Sequence, residues 1–313
     1  MHPIPAQAIV FLLDQLNQTN PNIKAVIVSA YEDMDNIRTA MNRGAFDFVT
    51  KPINFDDLEV TIRRTLSHLQ MLRSTLEVRS KLIGINQELK VASNLQQSIV
   101  PKKFINNKEL QLYATMQPAT EVGGDFYDFF WLDKTKLGVV MADVSGKGVS
   151  AALFMAVART HLKAIAPYCK SAAECLMKLN NHLAEDNETS MFVTTFYGIL
   201  DTQNGEFSYA NGGHCLPILF GENNIVELQS KLGIAVGVFE DADFSQEIVT
   251  LKPGESIFLY TDGITEAMNV DNEEFGMDRL TEVFKEKIAA KDSMEEIVQK
   301  VVSNVREYAG KAP

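Results

Sequence analysis

Residues 121–148 have the sequence EVGGDFYDFFWLDKTKLGVVMADVSGKG. This stretch contains two apolar runs of strand length; Asp125 opens the first and Asp143 closes the second, each beside glycine or a tight turn. A third acid, Asp262, ends another apolar run, SIFLYTD at 256–262. Hard cations such as Mg²⁺ and Mn²⁺ prefer carboxylate, carbonyl and water ligands. The sequence therefore predicts a divalent metal site formed by three carboxylates at strand ends.

Three acids placed together need a counter-charge. Two carboxylates about 4 Å apart repel each other by about 4 kcal/mol at an effective dielectric near 20, and a bound cation removes that repulsion. The alternative is that each Asp only closes a turn, which is its commonest role before glycine. Asp262 alone fits either interpretation, but the three acids together favour the metal.

Four motifs follow one another in the order of a known family. They are PATEVGGDFYDFF (118–130), MADVSGKGVSAALFMA (141–156), YANGGHCLPIL (209–219) and LYTDGITEAMN (259–269). Together they resemble the metal-dependent (PPM, or type 2C) serine/threonine protein phosphatases, and more closely the bacterial SpoIIE-like subfamily, which dephosphorylates anti-anti-sigma factors and similar small regulators. The resemblance runs from about Leu89 to the C-terminus. It implies an α+β fold, the αββα sandwich of two antiparallel sheets flanked by helices.

The resemblance also implies roles for individual residues. Asp143 would bridge two Mn²⁺ or Mg²⁺ ions with the Val144 carbonyl beside it, and Asp125 and Asp262 would each hold one ion, directly or through water. These three aspartates are the candidate catalytic residues. The expected reaction is hydrolysis of phosphoserine or phosphothreonine on an anti-anti-sigma-like protein. Two-metal chemistry needs no covalent nucleophile, so the cysteines need not take part.

Other interpretations of these motifs are weaker. GGDFYDF is superficially similar to the GGDEF signature of diguanylate cyclases, but that signature has Glu-Phe after the Asp, where this chain has Phe126 and Tyr127. The SGKG turn does not match a phosphate-binding loop, which needs Gly-Lys-Ser/Thr, because Gly148 follows Lys147. His214, in a Gly-Gly-His turn, is a candidate catalytic acid, although a histidine in such a turn more often shapes a loop.

A second hypothesis is a metal-poor module that binds a phosphoprotein without cleaving it. Phosphatases of this family end with an Asp-Asp-hydroxyl strand that supplies another metal ligand, whereas this sequence stops at EYAGKAP. The phosphatase domain is therefore expected at 100–313 without its last strand. Acidic residues nearer Asp262 are candidate substitutes for the lost ligand, namely Glu266, Asp271, Glu273 and Glu274.

Hydrophobic patterning predicts the elements of this domain. Alternation predicts a half-buried strand at 110–116, and Asn204-Gly205 between two apolar runs predicts a hairpin. Ser150 is a weak start signal for the first helix. The predicted helices are 149–166, 171–186, 277–290 and 293–308.

The N-terminal region 1–55 predicts a parallel α/β unit. A β-branched run at 23–29 and a short apolar run at 46–50 flank a helical pattern. The region resembles the second half of a response-regulator receiver, a flavodoxin-like fold in which Ser29 and Lys51 would contact a phosphoryl group. In this chain alone both are expected to be solvated strand-end residues, because the phosphoacceptor aspartate should lie upstream. We expect a fragment of a longer protein, controlled through its receiver in two-component signalling, rather than a receiver remnant.

Residues 56–99 predict one long helix, since they lack proline and contain only Gly84 as a helix-weakening glycine. Apolar residues recur at heptad spacing in its first part, and the phase then changes as at a stutter. A dimeric, coiled-coil-like signalling helix is the favoured interpretation, with a homodimer as the expected state. An amphipathic helix packed on its own domain is the alternative. The heptad positions are Ile62, Leu69, Leu76 and Ile83.

Composition restricts the class of protein. With 313 residues and 46% hydrophobic content, the chain can form one large domain or two. The net charge of −12 argues against nucleic acid or an anionic membrane as the main partner. The three cysteines have no metal-binding spacing, and no uninterrupted apolar run approaches the about 18 residues of a membrane span. A cytoplasmic protein is expected.

Overall fold

The chain divides into two compact units, Met1–Glu88 and Leu89–Pro313. Each is described by itself. The computed structural model describes residues 6–20, 22–30, 34–118, 120–185, 187–221, 224–231, 233–290 and 292–310.

The first unit has the predicted order of strand, helix and strand, with an additional helix before it. Its two described strands are parallel and in register, with Val26 opposite Asp47. Gly44 follows the second helix with a φ of 94°, the left-handed conformation that commonly ends a helix. On this helix Ile37 is buried, whereas Met34 and Met41 at the same helical spacing are exposed. The elements are α1 (Ala6–Thr19), β1 (Val26–Ala30), α2 (Met34–Asn42) and β2 (Asp47–Lys51).

The predicted long helix is α3 (Phe55–Ile99), which runs without a break for 45 residues. Its N-terminus is stabilised by Asn54, whose Oδ1 accepts a hydrogen bond from the Asp56 N–H at 2.9 Å, and by acidic residues in the first turn. The apolar heptad positions are poorly covered: Leu76 is 46% exposed and Ile83 is 50% exposed. The helix therefore presents an apolar surface to its surroundings.

The second unit is an αββα sandwich, as predicted. Over the described residues it contains a five-stranded antiparallel sheet, a three-stranded antiparallel sheet and helices that flank them. The elements are β3 (Phe126–Trp131), β4 (Lys136–Val144), α4 (Gly148–Ile165), a 3₁₀ turn (Ala166–Tyr168), α5 (Ala172–Ala184), β5 (Val193–Asp201), β6 (Glu206–Gly212), β7 (Ile218–Gly221), β8 (Asn224–Glu227), β9 (Gln246–Thr250), β10 (Ser256–Phe258), α6 (Gly276–Ala290) and α7 (Met294–Ala309).

The order of strands determines how the two sheets are connected. The five-stranded sheet has the order β3-β4-β5-β6-β9, and the three-stranded sheet has the order β10-β7-β8. Among the described strands, the chain therefore crosses between the sheets three times, from β6 to β7, from β8 to β9 and from β9 to β10. The turn after β6 lies at the first crossing, and the segment after β10 leads on to α6.

Apolar burial fixes the helices on the sheets. The inner face of α4 carries Ala151, Met155, Ala158 and Leu162, all fully buried, and its small residues let the helix approach the five-stranded sheet closely. The window Gly148–Tyr168 is long and apolar enough to span a membrane by length and composition, with a mean hydropathy of 1.3. A helix that covers a core with its apolar face passes the same test, and α4 is such a helix.

Two local predictions were wrong. Residues 110–116 form no strand; Gln111 makes only an isolated bridge with Asn106. Alternation of apolar and polar residues indicates a half-buried segment, but a strand also needs a neighbouring strand to pair with. Among the described residues, no strand pairs with this segment. The predicted start at Ser150 is also wrong, because α4 begins at Gly148, where a φ of 76° turns the chain into the helix earlier.

Candidate active site

Antiparallel pairing brings two of the predicted acids together. Phe126 pairs with Ala142 across β3 and β4, so Asp125 and Asp143, one residue further along each strand, fall next to each other. Their carboxyl groups are in hydrogen-bonding contact. The structure therefore places both acids at one end of the five-stranded sheet.

The third acid comes from the other sheet. β10 ends at Phe258, earlier than the apolar run predicted, and the irregular segment after it leads to Asp262. Within that segment the Thr261 hydroxyl donates a hydrogen bond to Asp125 Oδ2 at 2.8 Å. This contact joins residues 136 positions apart in the chain and holds the Asp262 segment against the five-stranded sheet.

The three carboxylates act on one another electrostatically. Burial, the hydrogen-bonding contact with Asp125, and the negative charges of Asp125 and Asp262 raise the pKa of Asp143 to about 8. Ionised Asp143 is thus unfavourable without a counter-charge. Among the described residues, however, no group of three or more His, Cys, Asp or Glu side chains is close enough to enclose one metal ion. Asp125 and Asp143 touch, while Asp262 acts from a longer distance.

The donor set still fits a hard divalent cation. Carboxylates without a basic partner are the ligands that Mg²⁺ and Mn²⁺ prefer, and the repulsion around Asp143 is what a cation would relieve. The backbone next to the acids is also packed closely. A Cβ added at Gly124 would lie 2.8 Å from the Val144 carbonyl oxygen, so glycine at 124 lets this carbonyl stay beside Asp143.

A cleft of about 1150 Å³ contains the acids in its lining. Asp125, Asp143 and Asp262 border it together with the Ser145–Gly148 turn. The rest of the lining is largely apolar and comes from both sheets and from α7. The acids are therefore accessible from a cavity that has room for a ligand.

Two further ionisable groups near the acids stay neutral. Burial raises the pKa of the Cys215 thiol to about 11, and the charge of Asp262 adds to this effect. Burial lowers the pKa of His214 to about 4, against the opposing influence of the Tyr260 carbonyl and of Asp125. Neither a thiolate nor an imidazolium is therefore available here at neutral pH.

Comparison with known proteins identifies the family. The model of the family described as stage II sporulation protein E (SpoIIE) matches residues 133–313, more than half of the chain. The chain belongs to the SpoIIE family. The matched region contains Asp143 and Asp262, and Asp125 lies just upstream of it. A response regulator receiver domain model matches residues 10–63, which confirms the receiver resemblance.

Individual relatives agree with this assignment. Protein IcfG of Synechocystis sp. is 30% identical over 244 residues, covering 69% of this chain and 38% of IcfG. Phosphoserine phosphatase RsbU of Bacillus subtilis is 32% identical over 191 residues, covering 59% of this chain and 56% of RsbU. The chain thus spans little more than half, or less, of the length of these relatives. The SiaA-PP2C domain of Pseudomonas aeruginosa aligns with a TM-score of 0.64 at 19% identity, covering 74% of this chain and 94% of that domain; it shares the fold.

Sequence reasoning missed several polar residues that organise this SpoIIE-family site. The buried Asp128 forms an ion pair with Arg159 at 2.7 Å and lies 3.4 Å from the Lys163 ammonium, which ties β3 to α4. Thr194 and Thr261 contact the acid-bearing segments. The Asp-to-Arg spacing and the threonines carry no sequence signal by themselves, because their partners are distant along the chain.

Proposed function

We propose that the second unit is a metal-dependent protein phosphatase that hydrolyses phosphoserine or phosphothreonine on a regulatory protein, with Asp125, Asp143 and Asp262 as catalytic residues. The observation that carries the proposal is the meeting of acids from both sheets in one cleft, with the pKa of Asp143 raised by its neighbours. Membership of the SpoIIE family and the phosphoserine phosphatase activity in the name of RsbU support the reaction type.

Two divalent cations, Mn²⁺ or Mg²⁺, are the proposed cofactors. Asp143 would lie between them with the Val144 carbonyl, and Asp125 and Asp262 would each hold one. Bound cations of this kind supply charge neutralisation and an activated water for attack on phosphorus. The protein's own contribution is positioning, because the Thr261 hydroxyl donates a hydrogen bond to Asp125 Oδ2 and fixes that carboxyl group.

Charge explains why such cations are needed before substrate binds. A phosphate monoester is an anion, and the cleft end contains three acids in a chain of net charge −12. Without added positive charge the phosphoryl group would be repelled from the carboxylates. Uncatalysed hydrolysis of phosphate monoesters is among the slowest reactions known, so strong electrostatic stabilisation is required.

The direct test is release of phosphate from a phosphoserine protein or peptide, with Mn²⁺ and with a chelator. Asp125→Asn, Asp143→Asn and Asp262→Asn should each lower Mn²⁺-dependent turnover by about 100-fold or more while the fold is retained. Asp133→Asn is the matched control, because Asp133 lies in an exposed turn where it accepts N–H groups of Thr135 and Lys136. An Asp143→Asn protein that keeps more than about a tenth of wild-type activity would show that the acids are not catalytic.

A second candidate function is capture of a phosphoprotein without hydrolysis. The observation that favours it is the lack, among described residues, of a group of three acids close enough to enclose one ion. The same assay separates the two functions. Binding of the phosphopeptide without any Mn²⁺-dependent phosphate release would establish the capture function and refute the phosphatase.

The proposed setting is two-component signalling in the cytoplasm. The receiver match at 10–63 suggests control of the phosphatase through a receiver, in which Ser29 and Lys51 would contact a phosphoryl group. An anti-anti-sigma-like protein is the proposed substrate. Exposed apolar positions on α3, such as Leu76 and Ile83, support a homodimer through that helix.

A further inference from the structure

His214 lies at the crossing between the two sheets. It follows β6 of the five-stranded sheet and precedes β7 of the three-stranded sheet. Asn211 fixes its backbone on both sides: the His214 N–H donates to Asn211 Oδ1 at 2.7 Å, and Asn211 Nδ2 donates to the His214 carbonyl at 2.9 Å. The residue is only 4% exposed. Its imidazole is thus held in one place between the sheets.

One ring nitrogen faces the strand pair that carries Asp143. His214 Nδ1 lies 2.9 Å from Thr194 Oγ1. Thr194 is the direct partner of Asp143 across β4 and β5, and the same hydroxyl lies 3.3 Å from the Asp143 carbonyl oxygen. The imidazole therefore reaches the backbone of Asp143 through a single side chain.

The His214 ring also lies near the segment that carries Asp262. The Tyr260 carbonyl is close enough to favour the protonated ring, while the buried Nε2 has no hydrogen-bond partner among the described residues. Tyr260 precedes Asp262 by two positions. His214 thus stands between the backbones on which two of the three acids are placed.

Both neutral forms of the ring keep the contact with Thr194. A hydroxyl has one proton, and Thr194 uses it either for Nδ1 at 2.9 Å or for the Asp143 carbonyl at 3.3 Å. In the second case Nδ1 carries the ring proton and donates it to the Thr194 oxygen, so that His214, Thr194 and the Asp143 carbonyl form one hydrogen-bonded chain.

We propose that His214, fixed by Asn211 at the crossing between the sheets, is a positioning residue that supports the Asp143 strand through Thr194 and so sets the place of Asp143 in the cleft. The proposal rests on the proposed function for its catalytic consequence, but the contacts themselves do not depend on it. His214 is absent from the described residues that line the cleft, so it does not touch a ligand there. It acts on the acids and not on the substrate.

The test uses the full chain and four variants. His214→Leu removes the ring contact with Thr194 at similar volume. His214→Asn keeps a polar atom near the Nδ1 position, and Thr194→Val removes the hydroxyl from a strand position that valine fits. His182→Asn is the control, because His182 is an exposed histidine on α5 that stacks with His161 and contacts none of the acids. Titration calorimetry with Mn²⁺, kinetics with a phosphoserine peptide, and thermal unfolding are measured on each.

We expect His214→Leu to weaken Mn²⁺ binding about tenfold or more, as loss of a residue behind metal ligands commonly does. Thr194→Val should show the same effect, His214→Asn should recover a large part of the affinity, and His182→Asn should match wild type. In the kinetics, kcat should fall while KM for the peptide stays unchanged. Folded His214→Leu and Thr194→Val proteins with wild-type Mn²⁺ affinity and kcat would overturn the proposal.

A measurement without metal or substrate separates this proposal from the proposed function. Nitrogen-15 NMR of the imidazole in the chelator-treated protein should show a hydrogen-bonded Nδ1 in His214, and Thr194→Val should shift that signal whereas His182→Asn should not. An Nδ1 signal that Thr194→Val leaves unchanged would overturn the positioning role. A protein that binds Mn²⁺ and shows the hydrogen-bonded Nδ1 but releases no phosphate would refute the phosphatase and leave the positioning role supported.

Discussion

Replacing Asp143 with Asn should stabilise the metal-free protein although it abolishes the metal response. The carboxyl of Asp143 has its pKa raised from 3.8 to about 8, first by burial and then by Asp125 and Asp262. The folded state therefore keeps a proton that the unfolded chain gives up above pH 3.8. Folding stability is highest where Asp143 is protonated in both states, falls as the pH rises from about 4 to 8, and is constant above that range.

The magnitude follows from the size of this window. At pH 7 about three pH units separate the solution pH from the unfolded-state pKa, and each unit corresponds to about 1.36 kcal/mol. The limit is therefore about 4 kcal/mol, and partial solvent exposure of Asp143 reduces the expected gain for Asp143→Asn to about 2–4 kcal/mol. The difference in the free energy of unfolding between Asp143→Asn and wild type should be near zero at pH 4 and should reach its maximum at pH 8.

Urea unfolding in EDTA, followed by Trp131 fluorescence, measures this gap in the second unit, since Trp131 is the sole tryptophan and ends β3. With Mn²⁺ at about 1,000 times its Kd the difference should close or reverse, because ligand at that concentration stabilises wild type by about 4.1 kcal/mol. Asp133→Asn serves as control: hydrogen bonds from Thr135 and Lys136 lower the pKa of Asp133, so its loss cannot stabilise. If Asp143→Asn is no more stable than wild type in EDTA at pH 8, the acids do not repel one another and the site as described is wrong.

Three further changes test other parts of the molecule. Leu69→Glu with Leu76→Glu places like charges in the proposed α3 seam and should convert a dimer into monomers by light scattering; an unchanged mass would refute the helix pairing. Gly124→Ala should lower the free energy of unfolding by about 1–3 kcal/mol and weaken Mn²⁺ binding in calorimetry, because the added Cβ would lie 2.8 Å from a backbone oxygen. Gly84→Ala is its control and should stabilise α3 slightly, because nothing lies within 4 Å of the added Cβ. Asp128→Asn removes the charge partner of Arg159, whose side chain is only 14% exposed, and should cost about 3 kcal/mol in urea unfolding; an unchanged midpoint would contradict that pairing.

Local signals predicted the fold well where one short segment contains the whole cause. Asn204-Gly205 forms the predicted hairpin because Gly205 adopts the required positive φ of 75°. Ser171 caps α5 by accepting the Glu174 N–H. Ser293 caps α7 through a reciprocal capping box. In each case the stabilising partner lies within a few residues, so the local sequence is sufficient to indicate the turn or the helix start.

Contacts between residues far apart in the chain could not be predicted from the sequence. The segment 110–116 alternates like a strand, but no property of its own sequence states whether a ladder partner lies beside it. The acids Asp125 and Asp143 could be placed together because a short β-hairpin joins them. The link from Thr261 to Asp125 spans 136 positions, so no local periodicity or spacing could indicate it.

The candidate site is assembled from two sheets, so the proposed metal binding would be coupled to the packing of one sheet on the other. Asp125 and Asp143 belong to the five-stranded sheet, whereas Asp262 follows the three-stranded one. The negative charges of Asp125 and Asp262 disfavour ionised Asp143, and the Thr261 hydroxyl holds the irregular segment at 259–262 against Asp125. A cation that bound all three acids would add its binding energy to that packing. We therefore expect a change that shifts this segment to alter metal affinity before it alters the fold.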